Sequence, residues 1–240
     1  EEITKKQEEK GARLGYYGEW AVWRNKGTND VIKTLEERRP YVIRLKSGGN
    51  FNNKIKFSDI VKGDIELSEN DLDVVLIKSD SYPTYHFAHV VDDYLMGTTH
   101  VIRGDEWLSS AHIHIELWKL FNWAMPQYGH ISPILKQDGD SKRKLSKRKD
   151  SEANMAFYDE KGYPPEAVIE YLLNLANSNF ENWRKENPNE KYSNFIFSLG
   201  MLNKSGALFD ENKLISVSKE IIAKMSVDKK YENIIEWLSK

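Results

Sequence analysis

The sequence predicts an α/β fold: a β-rich stretch in front, half of a doubly wound unit in the middle and a helical stretch behind. Three observations predict it. Turn-separated, strand-like segments fill Tyr41 to Lys78. A helix, a short strand and a second helix follow between Pro83 and Phe121. Beyond residue 164 the apolar residues recur at helical spacing. The chain has 240 residues, 40% hydrophobic, with 7 tryptophans, which suits a globular chain with a sizeable core.

Residues 1–13 are charged and lack an apolar stripe, so a helix there is marginal alone. Tyr16, Tyr17, Trp20 and Trp23 crowd an irregular stretch that can stack bases or, more plainly, form a local apolar cluster. Thr28 or Asn29 caps a short helix through Arg38. Tyr41 to Lys46 alternates with period 2 and reads as a half-buried strand. Lys54 to Ile60, Gly63 to Leu67 and Asp73 to Lys78 are further strands.

Thr84 caps a helix over Tyr85 to Val91, and Asp92, Asp93 and Gly97 turn the chain. His100 to Arg103 is a short strand ending at Gly104. Asp105 caps a helix from Glu106 to Phe121, with Leu108, Ala111, Ile115 and Trp118 along one side. Ligands of doubly wound sheets bind beyond the carboxyl ends of strands, where Arg103 and Gly104 sit. A strand over Gly129 to Leu135 precedes the turn-like run Gln137 to Ser141. Pro164 and Pro165 open a helix through Asn177 with the stripe Val168, Leu172 and Leu175. Residues 182–192 are polar and read as a loop. Asp210 caps a helix to Lys224, and Val227 to Ser239 makes another.

Lys142 to Lys149 reads K-R-K-L-S-K-R-K, six positive charges in eight residues. They repel one another and must face water or a polyanion. The plain reading is a solvated patch or localisation tag. The sharper one is a mobile lysine loop that meets charge developing on phosphate. Formal net charge is -2, so nucleic-acid contact must come from local basic patches. There are no cysteines, which excludes disulfides and thiolate zinc, and no run is long and apolar enough for a membrane span.

Lys144-Leu145-Ser146-Lys147-Arg148 resembles the K-M-S-K-S loop of class I aminoacyl-tRNA synthetases, in the K-[LI]-S-K-R form of glutamyl-tRNA synthetases. Residues 78–108 (K-S-D-S-Y-P-T-Y-H-F-A-H-V-V-D-D-Y-L-M-G-T-T-H-V-I-R-G-D-E-W-L) are similar to that family's K-S-D-G-x-P-T-Y…V-V-D-D…M-G-x-[ST]-H-V-[IL]-R-G pattern. A weaker likeness runs from about Arg38 to about Leu214.

The resemblance implies a fold: the second half of a class I Rossmann-type catalytic domain (83–125). A β-rich connective, acceptor-binding insertion precedes it (1–82), and the lysine loop with a helical stem-contact domain follows (126–240). It implies ATP-dependent activation of glutamate and transfer to tRNA(Glu), with Mg²⁺ accompanying ATP and no zinc. By matching position, Tyr85, Arg103 and His89 bind the amino acid. Glu106, Trp107, Ser146 and Lys147 lie on the ATP side, and Lys147 with Lys144 is catalytic. A guanidinium fork suits a glutamate carboxylate better than a glutamine amide. The plainer readings are a core Tyr85 and Trp107, an Arg103 paired with Asp92 or Asp105, and packed or exposed histidines.

Two departures stand out. No H-I-G-H-type signature precedes the β-rich front, and Gly129-His130-Ile131-Ser132 is a look-alike in another place. Ile215 to Ile221 replaces the family's W-[ML]-N run. The expectation is an internal fragment of a monomeric, cytoplasmic synthetase, inactive alone. A tRNA-modifying paralogue or a non-catalytic RNA-binding module is the alternative.

Overall fold

The computed structural model describes residues 2–239; Glu1 and Lys240, the outer ends of the expected first and last segments, lie outside the described residues. The chain divides into two compact units. One holds the residues up to Asp59, Gly63–Val101 and Glu106–Tyr128. The other holds Ile60–Lys62, Ile102–Asp105 and the described residues from Gly129 onward.

In the first unit the charged N-terminal stretch forms α1 (Glu2–Glu9). Gln7 ties it down, donating to the Gly15 carbonyl at 2.7 Å and accepting from the Gly15 N–H at 3.1 Å. After a 3₁₀ turn at Gly18–Trp20 comes α2 (Thr28–Glu36), whose N-cap is Gly27 rather than Thr28 or Asn29. The strands are β1 (Ile43–Arg44), β2 (Lys54–Asp59), β3 (Gly63–Ser68) and β4 (Val75–Ile77). β1 is shorter than its alternation predicts. Tyr41, Val42 and Ile43 are exposed and only Leu45 is buried, so the period-2 pattern has no face to cover there.

Helix α3 (Tyr85–Leu95) runs past Val91 and takes in Asp92 and Asp93, which the sequence placed in a turn. Asp93 pairs with His89 one turn earlier, so the carboxylate supports the helix instead of ending it. Thr84 does not cap with its hydroxyl, which donates to the Val75 carbonyl at 2.8 Å. Strand β5 (His100–Gly104) follows. The helix expected from Glu106 is a 3₁₀ turn over Asp105–Ser110, and α4 (Ala111–Leu120) starts after it. Asp105 is no helix cap, because its carboxylate is engaged by Lys62.

Strand β6 (Gln127–Ile131) enters a four-stranded sheet of order β3-β2-β6-β5. β2 pairs antiparallel with β3 and parallel with β6, so the sheet is mixed. β1 and β4 form a separate antiparallel pair. Phe57, Ala111, Ile115 and Tyr128 make one buried cluster, and Leu45, Val90, Ile113, Leu117 and Trp118 another. The predicted stripe of Ala111, Ile115 and Trp118 is thus the buried face of α4.

In the second unit the strand expected over Gly129 to Leu135 is broken. β6 stops at Ile131 and β7 (Leu135–Asp138) starts after Pro133, which has no N–H for a ladder. β7 pairs antiparallel with β8 (Ser141–Lys144) across a turn in which Gly139 takes φ +59°. A two-residue hairpin turn asks that left-handed value of its first central residue.

Helices α5 (Met155–Glu160), α6 (Pro165–Ala176), α7 (Ser178–Glu186), α8 (Glu211–Lys224) and α9 (Val227–Leu238) complete the described chain. α7 corrects the loop expected at 182–192. Asn177 caps it, Phe180 is fully buried, and the Arg184 fork pairs with Glu170 at 2.6 and 3.0 Å. Its polar surface hid these anchors. In α6 Val168 is buried but Leu172 is exposed, and Tyr171 fills the core instead. Burial pushes the Tyr171 phenol up to about 12, and its oxygen accepts from the Asp210 N–H at 2.7 Å. Asp210 caps α8 as expected, accepting from Asn212 and Lys213. Among the described residues no helix is long and apolar enough to cross a membrane.

Candidate functional site

The first unit gathers Tyr85, His89 and Trp107. Tyr85 and His89 are four apart on α3, so their rings stack, with centroids 5.5 Å apart and planes at 4°. Trp107, on the 3₁₀ turn after β5, meets Tyr85 at 4.2 Å. Tyr85 is 45% exposed, which removes the plainer reading of a core aromatic. Trp107 is half-buried and Glu106 exposed.

Beneath these rings lies a polar relay. Trp118 Nε1 donates to Tyr128 Oη at 3.0 Å, Tyr128 Oη contacts His89 Nε2 at 2.9 Å, and His89 Nδ1 meets Asp93 at 2.6 Å. An indole N–H only donates and a carboxylate only accepts. A neutral His89 with its proton on Nδ1 satisfies the whole relay. His86 and His114 add a ring-nitrogen contact at 3.0 Å, and His114 is fully buried. These are packed histidines, as the plainer reading held. What the arrangement offers is a flat aromatic surface whose polar groups are oriented from below.

The second unit holds the carboxyl end of β5. Arg103 is 9% exposed and its Nε donates to His130 Nε2 at 2.9 Å. Because a guanidinium has no acceptor, His130 offers its bare Nε2. The G-H-I-S look-alike therefore contributes an orienting residue that the sequence reading had dismissed. Beside Arg103, Asp105 meets Lys62 at 3.0 Å and Ser132 Oγ at 2.9 Å. Lys62 also reaches Ser132 Oγ at 2.5 Å and the Lys204 carbonyl at 2.6 Å. Burial raises the Asp105 carboxyl, but hydrogen bonds from Lys62 and Ser132, with the charges of Lys62 and Lys144, bring it below the usual range.

The basic run is not one loop. Lys142 to Lys144 form β8, Leu145 N–H donates to the Ile134 carbonyl at 2.8 Å, and only the part after it turns. Leu145, within the run, is half-buried. Lys147, Arg148 and Lys149 stand exposed on the turn. Asp150, 4% exposed, holds that turn from inside. Its Oδ2 accepts from the Ser146 N–H at 2.8 Å, and the Arg143 fork grips both its oxygens at 2.7 and 2.8 Å. Lys136 adds a contact at 3.2 Å and also pairs with Glu152. The Arg143 hydrogen bonds come first in holding Asp150 far below the usual carboxylate range.

Sequence reasoning missed His130, Asp105, Lys62 and Asp150. His130 acts on Arg103 and Asp150 on Ser146, both marked by the motifs, while Lys62 and Asp105 meet each other, of which spacing along the chain gives no sign. For Asp150 the nearby Arg143 was the available signal.

The model of the family "tRNA synthetases class I (E and Q), catalytic domain" matches residues 1–216. A glutamate–tRNA ligase from Clostridium beijerinckii is 54% identical over 223 residues, 93% of this chain and 40% of that protein. One from Acetivibrio thermocellus is 47% identical over 99% of this chain and 43% of its own length. The crystal structure of a glutamate-tRNA synthetase from Elizabethkingia anophelis superposes with a TM-score of 0.77 at 31% identity, covering 98% of this chain and 50% of that one. A glutamate tRNA ligase from Elizabethkingia meningosepticum, crystallised with its amino acid, gives 0.75 at 33%, covering 94% and 48%. The chain spans less than half the length of these curated relatives.

Proposed function

The chain belongs to the catalytic-domain family of class I tRNA synthetases for glutamate and glutamine, and we propose that it is the part of a glutamate–tRNA ligase that reads glutamate and handles phosphate charge. The whole protein then activates L-glutamate with ATP to glutamyl-adenylate and passes it to the 3' end of tRNA(Glu). Mg²⁺ arrives on the phosphates of ATP. The observation that carries the reading is the buried Arg103 at the end of β5, held by His130, in a chain that the family's model matches over residues 1–216.

Arg103, oriented by His130, pairs its guanidinium with the side-chain carboxylate of glutamate. By the family resemblance Tyr85, backed by the stacked His89, belongs with amino-acid recognition, and Glu106 and Trp107 with the nucleotide side. Lys147, with Lys144, neutralises charge on the leaving pyrophosphate, and Ser146 lies between them on the ATP side. No protein nucleophile is required, because positioning and charge carry the step. The reading divides the chain into an acceptor-binding part (1–82), a Rossmann half (83–125) and a loop with stem-contact helices (126–240). It describes a monomeric cytoplasmic enzyme with no membrane partner. Full-length protein charging tRNA(Glu) with glutamate but not glutamine tests it. Salt-dependent tRNA binding with no pyrophosphate exchange contradicts it and favours a binding module.

A further inference from the structure

The exposed turn carrying Lys147 is closed by its own backbone hydrogen bonds to the Ser146 carbonyl. Three cations follow one another there, and like charges spread a flexible turn. What ties the turn to the hairpin is one buried carboxylate. Asp150 closes the turn through the Ser146 N–H at 2.8 Å, while Lys149 and Asp150 N–H groups donate to the Ser146 carbonyl at 3.0 and 2.9 Å. The carboxylate is itself fixed by the bidentate Arg143 fork, and Arg143 Nε is held by Asp138 at 2.7 Å. Arg143 sits on β8 and Asp138 on β7, so the hairpin's rigidity passes through two ion pairs to the turn. Lys136, also on β7, adds its contact from the side. The Asp150 side chain is only 1% exposed, so solvent does little to screen its pair with Arg143, whereas the Asp138 carboxylate is 60% exposed.

On the reading that Lys147 acts on phosphate, we propose that Asp150 is a positioning residue for the reaction: it sets where Lys147 stands, with Arg143 as its anchor. It need not touch substrate. A misplacement of about 1 Å costs on the order of 100-fold when a group must meet a transition state, so losing the tether shows in the rate.

The test is ATP–pyrophosphate exchange by the full-length protein carrying wild-type sequence, Asp150→Asn, Lys147→Ala or both. The expected result is a fall in kcat of roughly 10-fold for Asp150→Asn, with the KM for glutamate unchanged. In the Lys147→Ala background the same substitution adds less than about 2-fold, because residues acting as one unit are non-additive. Arg143→Lys, which removes the fork but keeps the charge, is expected to behave the same way. It serves in place of Asp150→Asn if thermal melting shows that variant unfolded. Equal losses from Asp150→Asn with and without Lys147 overturn the proposal, as does an unchanged kcat. A Lys147→Ala protein with full exchange activity overturns the phosphate role of the turn and this inference with it.

Discussion

Tyr85 and Lys147 are placed by opposite means. In the first unit Tyr85, His89 and Trp107 are set by ring contacts and a hydrogen-bonded relay rooted in the buried Trp118 and Tyr128. In the second unit Lys147 owes its place to ion pairs around Asp150, and its own side chain lies in solvent. Packing holds a surface of fixed shape, which suits recognition of a small rigid group. Ion pairs hold a turn of like charges in a set position, which suits a preorganised charge. The difference teaches that the aromatic cluster answers to core substitutions and the lysine turn to charge substitutions.

Four outcomes break or sharpen that contrast. The largest is Lys147→Ala, which should lower the pyrophosphate-exchange kcat by about 100- to 1000-fold with unfolding unchanged. Equal melting curves beside a lost rate are the signature. Next is Trp118→Ala, which removes a 2%-exposed side chain from the first unit. It should cost about 3–5 kcal/mol in denaturant unfolding. A loss below 1 kcal/mol would mean the relay's floor is not packed as described.

Third is Tyr128→Phe, which deprives both His89 and the Trp118 indole of a partner. About 1–3 kcal/mol of stability should be lost, and the KM for glutamate should rise if His89 orients the aromatic surface. The smallest effect concerns acid. Burial, with a smaller push from Arg13, holds His112 of the first unit below the usual histidine range, against Asp71 and Glu116. Its folded value is depressed, so its contribution is full above about pH 6.5 and declines as pH falls below it. Asp150 is also depressed, and its contribution is full above about pH 3.9 and is lost below. Mild acid between these values should weaken the first unit while the turn stays anchored. His112→Gln should flatten that part of the pH profile.

The sequence made legible what lies in short continuous patterns. β2, β3, β5, α8 and α9 fall where alternation, punctuation and the Asp210 cap put them. Arg103 and the lysine run stood out because fork chemistry and charge density are readable one residue at a time. The fold was misread where a side chain's partner overruled its local habit. Asp93 and Asp105 look like turn and cap residues, yet each is spent on a partner, His89 for one and Lys62 for the other. The α7 segment looks like a loop until Phe180 and the Glu170–Arg184 pair are seen. His130 was visible only as a failed motif, because nothing in the spacing of 103 and 130 says that those two side chains meet.

The central claim is that a guanidinium fixed at a strand end selects a carboxylate, in the unit that also carries the lysine turn. The most direct test is the ratio of glutamate to glutamine kcat/KM in full-length Arg103→Ala. Loss of a charge-assisted pair of about 1.5–3 kcal/mol should lower glutamate use by roughly 10- to 100-fold and bring the ratio toward one. A variant that still prefers glutamate by the wild-type margin would contradict the account.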